Sequence, residues 1–397
     1  MMTNQKTPTL RFSRLRLGNW KNFLEVDLPL AQRVFFVGPN ASGKSNLLDV
    51  LRFLRDLVSE GGGLQAAINR RGGVKAIRCL AARRNSDVAI SVAVAEAAES
   101  DPETFIWQYD LVFNQEGQHR AIIKQETVKR WNIETKRVET VLHRPTADDQ
   151  KDPERLTQTY LEQVTMNQPF RGLAEFFASV RYLHIVPQLV REPERSVGRK
   201  NDPYGGDFLE QIARCSKKTQ DAWLKRIEDA LKVAVPRLTK IEMFRDHRGT
   251  PHLRAKYQHW RPQGAWQTEE QLSDGTLRLL GLLWAVLEGR GPLLLEEPEL
   301  SLHPEVVRYI PQMLARVQRR TGRQVLVSTH SLELLRDEGL APEEVVVLRP
   351  EKEATKVRRV ADLADAKSPL ESGLPAGEIA VSSTKPGKAK QLSLFGD

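Results

Sequence analysis

Apolar residues near the start of the chain fall in an imperfect alternation: Leu10, Phe12, Leu15 and Leu17, then Phe23, Val26 and Leu28. Successive side chains of a strand point to opposite faces, so this pattern predicts strands between residues 9 and 37. The apolar run in Arg33–Val37 predicts a buried strand that stops at Gly38. The period then changes. Leu47, Leu48, Leu51, Leu54 and Val58 recur at helical spacing from about Lys44, and Gly61–Gly63 ends that helix. Asp87–Val94, Thr104–Phe113 and Ala121–Trp131 are rich in Val, Ile and aromatics between turn residues, which predicts antiparallel strands over 86–143.

Residues 144–180 turn polar and then helical, and Val180–Val186 reads as another buried strand. An exposed loop is expected over 190–206, helices over 207–234, and a hairpin over 237–260 around Arg248-Gly249. The last part is sharply patterned. It predicts an apolar helix at 276–288, a strand stub at Leu293–Leu295 and an amphipathic helix at 304–320. Strands follow at Gln324–Ser328 and Val345–Leu348. From about 366, Ser, Pro, Gly, Lys and Ala dominate, and a disordered tail is expected. No internal repeat and no sustained heptad is present.

Composition narrows the class. Of 397 residues, 40% are hydrophobic and 28% charged, enough apolar material for packed cores. The net charge of +9 raises the weight of a polyanionic partner such as DNA, although an Arg-rich chain is also basic without binding anything. Cys79 and Cys215 have neither metal-ligand spacing nor a disulfide framework. No apolar run reaches about 18 residues, and the first residues do not read as a signal peptide. A cytoplasmic location without a membrane partner is expected.

Gly38-Pro39-Asn40-Ala41-Ser42-Gly43-Lys44-Ser45 fits G-x-x-x-x-G-K-[ST] between a predicted strand and a predicted helix. Its glycines let backbone N–H groups wrap phosphates, and the helix N-terminus adds a favourable dipole. All eight residues are candidate ATP contacts. Lys44 would reach the β- and γ-phosphates, and Ser45 would offer an oxygen to Mg²⁺. In Leu293-Leu-Leu-Glu-Glu-Pro298, an apolar strand delivers two acids at its C-terminal end. Glu296 is the candidate for the Mg²⁺ shell, and Glu297 for orienting or activating water. In Leu272-Ser-Asp-Gly-Thr276, Ser273 can cap a helix, Asp274 follows it, and Gly275 allows backbone to approach a phosphate. Read alone, that segment is an ordinary helix cap. Likewise His330, in Val327-Ser-Thr-His-Ser331, is structural when read alone; its place in the order makes it a candidate γ-phosphate contact.

In this order the motifs resemble the ABC-type ATPases, in particular the RecF/OLD/SMC-like branch. GPNASGKS looks like Walker A, LSDGT like the signature, LLLEEPELSLHP like Walker B with the D-loop, and STHS like the switch-histidine loop. Leu15–Phe23 resembles the N-terminal strand segment of that branch. The resemblance covers roughly 9–60 and 265–349. It implies an α/β ABC-ATPase head: a P-loop mixed sheet, an antiparallel β subdomain and a helical lobe. The expected division is an N-terminal ATPase lobe at 1–143, a helical insert at 144–264, a C-terminal ATPase lobe at 265–365 and a tail at 366–397.

The resemblance further implies a Mg²⁺-dependent ATPase that dimerises head to head. ATP on one Walker A loop would be capped by Ser273, Asp274 and Gly275 of the other chain. Glu297, His330 and Lys44 would serve hydrolysis, with Glu299 and Ser301 near the dimer seam. A Q-loop glutamine would sense Mg²⁺, and Gln188 is the candidate. Glu296 stands where an aspartate is commoner. Without a long coiled coil or a paired D-x-D motif after His330, the chain looks like the short stand-alone ATPases of anti-phage and toxin–antitoxin systems, which work with a separately encoded effector. Gln391-Leu392-Ser-Leu394-Phe395 resembles the peptide with which bacterial proteins bind the β sliding clamp. Three readings stay open: an effector-gating defence ATPase, a RecF-like repair or replication ATPase at the clamp, and a nucleotide-gated scaffold with little turnover.

Overall fold

The computed structural model describes residues 9–384, apart from 84–85, 100, 102–103, 118–119, 133, 197–201 and 261–264. In chain order its strands are β1 (Leu10–Trp20), β2 (Phe23–Pro29), β3 (Arg33–Val37), β4 (Val88–Glu96), β5 (Trp107–Glu116), β6 (Arg120–Asn132), β7 (Arg137–Arg144), β8 (Arg181–Leu183), β9 (Leu238–Arg245), β10 (Pro251–Tyr257), β11 (Ala265–Thr268), β12 (Leu293–Glu296), β13 (Val325–Thr329), β14 (Val345–Pro350) and β15 (Thr355–Arg359). The described helices of eight residues or more are α1 (Lys44–Val58), α2 (Arg171–Ala178), α3 (Lys217–Ala234), α4 (Asp274–Leu287), α5 (Ile310–Thr321) and α6 (Ala376–Thr384). They form two compact units. The first holds the described residues up to Arg181, Arg290–Leu294 and those from Ala315 on; the second holds Tyr182–Gly289 and Leu295–Leu314.

In the first unit an antiparallel sheet has the order β2-β1-β4-β5-β6-β7. Alternate residues of its strands turn inward: Val88, Ile90, Val92 and Val94 on β4, Tyr109, Leu111 and Phe113 on β5. The other sheet has the order β15-β14-β3-β13-β12-β8. β3 lies at its middle and pairs in parallel with β13 and with β14. A parallel strand is covered on both faces, which accounts for the wholly buried β3 and β13. β12 and β8 begin in this unit and continue into the second.

α1 buries seven apolar side chains, Leu47, Leu48, Val50, Leu51, Phe53, Leu54 and Leu57, each worth roughly 2 kcal/mol. Phe53 meets Trp20 at 5.4 Å and Phe113 at 5.9 Å between ring centroids, which pins α1 to the antiparallel sheet. A buried polar knot lies toward the β7 edge of the sheet. Arg144 pairs at 2.9 Å with both Glu126 and Asp149, all three fully buried, and its guanidinium sits 3.9 Å from the Tyr160 ring centre. Burial pushes the Glu126 carboxyl up, although Tyr160 N, Leu161 N and Arg144 donate to it.

The second unit is built on the antiparallel sheet β11-β10-β9. α3 packs against β9 and against α4, where Trp223 meets Trp284 edge-on at 5.1 Å.

Three expectations are corrected and a fourth is extended. The tail expected to be disordered from 366 instead carries helices at Lys367–Glu371 and Ala376–Thr384. Its small residues are there for close packing: Ala376, Ile379 and Ala380 are buried against β14, and a Cβ on Gly377 would run into the Leu335 carbonyl. The helix expected at 304–320 is two helices, Pro304–Val307 and α5, separated at Arg308-Tyr309. The strand expected over Val180–Val186 is only the half-buried β8, because Pro187 starts a helical turn soon after. The hairpin expected over 237–260 is present, but β11 adds a third strand to it. Residues 391–395, with the clamp-like peptide, lie outside the described residues. No described helix is long and apolar enough to cross a membrane.

Candidate functional site

β3 ends at Val37 and α1 starts at Lys44, so the Gly38–Ser45 loop joins a central parallel strand to a helix N-terminus. Gly43 has φ +99°, and a Cβ there would lie 2.7 Å from Phe23 Cζ as well as striking the Asn22 amide. Gly38 packs so closely that a Cβ would come within 2.8 Å of the Leu348 carbonyl oxygen on β14. Ala41 also holds a positive φ, +62°. Both glycines therefore meet steric demands that an L side chain violates.

Lys44, buried, donates through Nζ to the Gly38 carbonyl at 2.9 Å and the Pro39 carbonyl at 3.2 Å. α1, fifteen residues long, has neither a side-chain cap nor an acidic residue in its first turn. Ser42 Oγ is buried without a hydrogen-bond partner. Uncapped N–H groups, a helix dipole and a lysine form a donor set that fits a polyphosphate.

Asn22 braces the loop from the β1–β2 turn. Its Nδ2 donates to the Ser42 carbonyl and to Thr355 Oγ1, and its Oδ1 accepts from Asn46 Nδ2, all at 2.8 Å. One turn further along α1, Asp49 pairs with Lys21 at 2.7 Å, Arg71 at 2.9 Å and Arg52 at 3.0 Å. Burial pushes its carboxyl up, but Arg71, Arg52 and Lys21 outweigh burial and hold it at about 2.

The register of the parallel sheet places His330. Thr329 pairs with Val37, so His330 leaves β13 level with Gly38 at the start of the loop, and its side chain is exposed. Ser331 then caps the short helix Leu332–Leu335 by accepting from Leu334 N at 3.3 Å.

The remaining candidates belong to the second unit. Ser273 is the N-cap of α4: its Oγ accepts from Thr276 N at 3.2 Å. Asp274 pairs at 2.5 Å with Arg191, which also donates to the Leu272 carbonyl at 2.8 Å. A Cβ on Gly275 would strike the Ser301 carbonyl, so the start of α4 and the segment after β12 fit only with glycine there. Glu297 and Ser301 have φ of +44° and +62°.

Glu296 ends β12, half-buried, and Tyr182 donates its hydroxyl to Glu296 Oε2. His184 Nδ1 lies 3.4 Å from the Glu296 carbonyl. Glu299 is buried. Gln188 sits exposed on the turn Pro187–Val190. Arg278, on α4, feels Asp274, Glu297 and Glu299; burial pulls its guanidinium below the usual range and the three carboxylates pull it back up.

A family model described as "AAA domain, putative AbiEii toxin, Type IV TA system" matches residues 33–336. The chain belongs to this family. It is an ABC-type ATPase of the RecF/SMC-like branch. The chain is 41% identical over 61 residues to the DNA replication and repair protein RecF of Corynebacterium jeikeium (strain K411), 15% of this chain and 14% of RecF. It is 36% identical over 72 residues to the methionine import ATP-binding protein MetN of Leifsonia xyli subsp. xyli (strain CTCB07), 18% of this chain and 21% of MetN. Both matches span less than a quarter of the relative's length. A crystal structure of an SmcHead bound to the C-winged helix domain of ScpA superposes with a TM-score of 0.51 at 14% identity, over 87% of this chain and 96% of that one. That likeness is one of fold.

Four residues that stand beside the motifs are not legible as motif positions: Asn22, Tyr182, His184 and Arg278. Asn22 alone carried a signal, since it lies in the Leu15–Phe23 stretch.

Proposed function

We propose that the chain binds and hydrolyses ATP with Mg²⁺, dimerises around the nucleotide, and gates a separately encoded effector in anti-phage defence. The observation that carries the ATP part is the uncapped N-terminus of α1 with Lys44 lying on the loop's own carbonyls. In this reading Lys44 exchanges those carbonyls for the β- and γ-phosphates, and residues 38–45 wrap them. Mg²⁺ would screen the phosphate charge, with Ser45 and Glu296 as its protein oxygens and Gln188 as its sensor. Tyr182 would orient the Glu296 carboxylate. Glu297 would orient the attacking water, and His330 would face the γ-phosphate. Ser273, Asp274 and Gly275 of a second chain would close the site. The toxin–antitoxin wording of the family description supports the effector part.

Phosphate release and size-exclusion chromatography, each with and without ATP and Mg²⁺, test this reading. Wild type is expected to turn ATP over. Lys44→Ala should lose binding, and Glu297→Gln should lose turnover while accumulating an ATP-bound dimer. If Glu297→Gln turns over and elutes like wild type, the chain is a nucleotide-gated scaffold and the hydrolytic reading fails.

The RecF match favours a second reading, a DNA repair or replication ATPase recruited to the sliding clamp through Gln391, Leu392, Leu394 and Phe395. Removing residues 390–397 should then abolish clamp pull-down. Unchanged pull-down refutes it.

A further inference from the structure

The sheet β11-β10-β9 has two chemically different faces. Leu238, Ile241, Leu253 and Ala255 point inward and are buried. The register sets the outward residues in rows: Lys240 opposite Lys256 opposite Trp266, Glu242 opposite Arg254 opposite Thr268, and Phe244 opposite His252. Trp266 is 39% exposed, a large aromatic presented on a solvent-facing sheet. Around its ring stand Arg254 at 4.6 Å, Lys240 at 5.8 Å and Lys256 at 5.9 Å. Phe244 stacks on His252 at 5.3 Å and carries Arg254 at 5.1 Å. Just past β10, Trp260 is 81% exposed.

The arrangement carries a cost. Like charges directly opposite on adjacent strands are destabilising, yet Lys240 faces Lys256. Glu242 is shared by Lys240 at 2.7 Å and Arg254 at 2.5 Å, while Glu269 at 2.6 Å and Asp246 at 3.7 Å stand at the His252 end, so the three cations gather round Trp266 with one carboxylate among them. Residues 237–260 hold six Lys and Arg against two Asp and Glu. Cations interleaved with aromatic rings on an open sheet match what an unpaired nucleic-acid strand needs: phosphate partners along the backbone and ring faces for its bases.

We propose that the outward face of β9–β11 binds single-stranded DNA, with a base stacked on Trp266 and phosphates held by Lys240, Arg254 and Lys256. Duplex hides its base faces, so it offers Trp266 nothing to stack on. No described group on this face is placed to read a ribose 2′-hydroxyl in preference to a phosphate, so DNA is the occupant and RNA the comparison. The site lies wholly in the second unit and does not depend on the ATPase reading.

The test is fluorescence anisotropy of labelled dT20 with the full chain at low salt, followed by salt titration. Three phosphate contacts give a slope of log K against log salt of about −2. Trp266→Ala should weaken binding roughly tenfold or more, and Trp266→Phe should restore most of it. Lys240→Ala with Lys256→Ala should flatten the slope by about 1.4. These lysines are surface residues, so that variant keeps the proposal falsifiable if Trp266→Ala melts early. No binding of dT20, wild-type affinity in Trp266→Ala, or tighter binding of a 20-base-pair duplex or of rU20 would each overturn the proposal.

Discussion

Replacing Asn22 with Ala is expected to loosen the phosphate loop without touching a phosphate contact. Three hydrogen bonds disappear, each 2.8 Å long: to the Ser42 carbonyl, to Thr355 Oγ1 and from Asn46 Nδ2. Each is worth about 0.5–1.5 kcal/mol net. Asn22 is half-buried, so water recovers part of the loss, and about 2 kcal/mol of stability is expected to go. The side chain also abuts Gly43, the residue that turns the loop into α1. If about 1.4 kcal/mol of the loss falls on the ordered loop, ATP affinity drops about tenfold. Calorimetric titration with ATP in EDTA reads affinity without turnover, and a thermal melt reads stability. Asn22→Asp is the sharper comparison. It keeps the acceptor for Asn46 but turns a carboxylate on the Ser42 carbonyl, so it should bind ATP more weakly than Asn22→Ala. Unchanged affinity in both variants would refute the brace, and a lower melting temperature with unchanged affinity would reduce Asn22 to a stability residue.

Two further outcomes follow from the buried charges of the first unit. Asp49 is held at about 2 against an ordinary 3.8, so its ion pairs add about 2 kcal/mol that is fully present above pH 4 and fades as pH falls toward 2. Urea unfolding of wild type and Asp49→Asn between pH 6 and pH 2.5 should show the two stabilities converging on acidification; a constant gap contradicts this. Arg144→Met leaves Glu126 and Asp149 buried without their cation and should cost about 3–5 kcal/mol in urea unfolding at neutral pH, whereas a loss below about 1 kcal/mol would show that the knot does not hold the sheet.

What could be read from the sequence was what depends on local rules. The phosphate loop, the apolar strand before Glu296 and the cap at Ser273 each combine a residue type with a backbone conformation a few positions away. Sequence period found most strands for the same reason. The partners of those motifs were illegible because they arrive from far along the chain. Tyr182 reaches Glu296 across 114 residues, and Thr355 reaches Asn22 across 333. The tail was misread because Ala and Gly look the same in a disordered segment and in a close-packed helix. Only the Leu335 carbonyl against Gly377 tells the two apart. The outward face of β9–β11 was hidden because its rows exist only once the register is known.

Six described non-glycine residues have a positive φ: Asn19, Lys21 and Lys136 lie outside the motifs, and Ala41, Glu297 and Ser301 lie in the motif loops. Ala41, Glu297 and Ser301 are non-glycine residues in the left-handed region, each at a cost of about 1–3 kcal/mol. One lies in the loop after β3 and two lie just after β12. Glycine at any of them would relieve the strain, as it does at Gly43. At position 297 glycine would also remove the carboxylate, and at 301 the hydroxyl. Strain of that size persists only where the surrounding structure holds it. For Glu297 the conformation adds a second reason, beside the order of the motifs, for the role in hydrolysis proposed above.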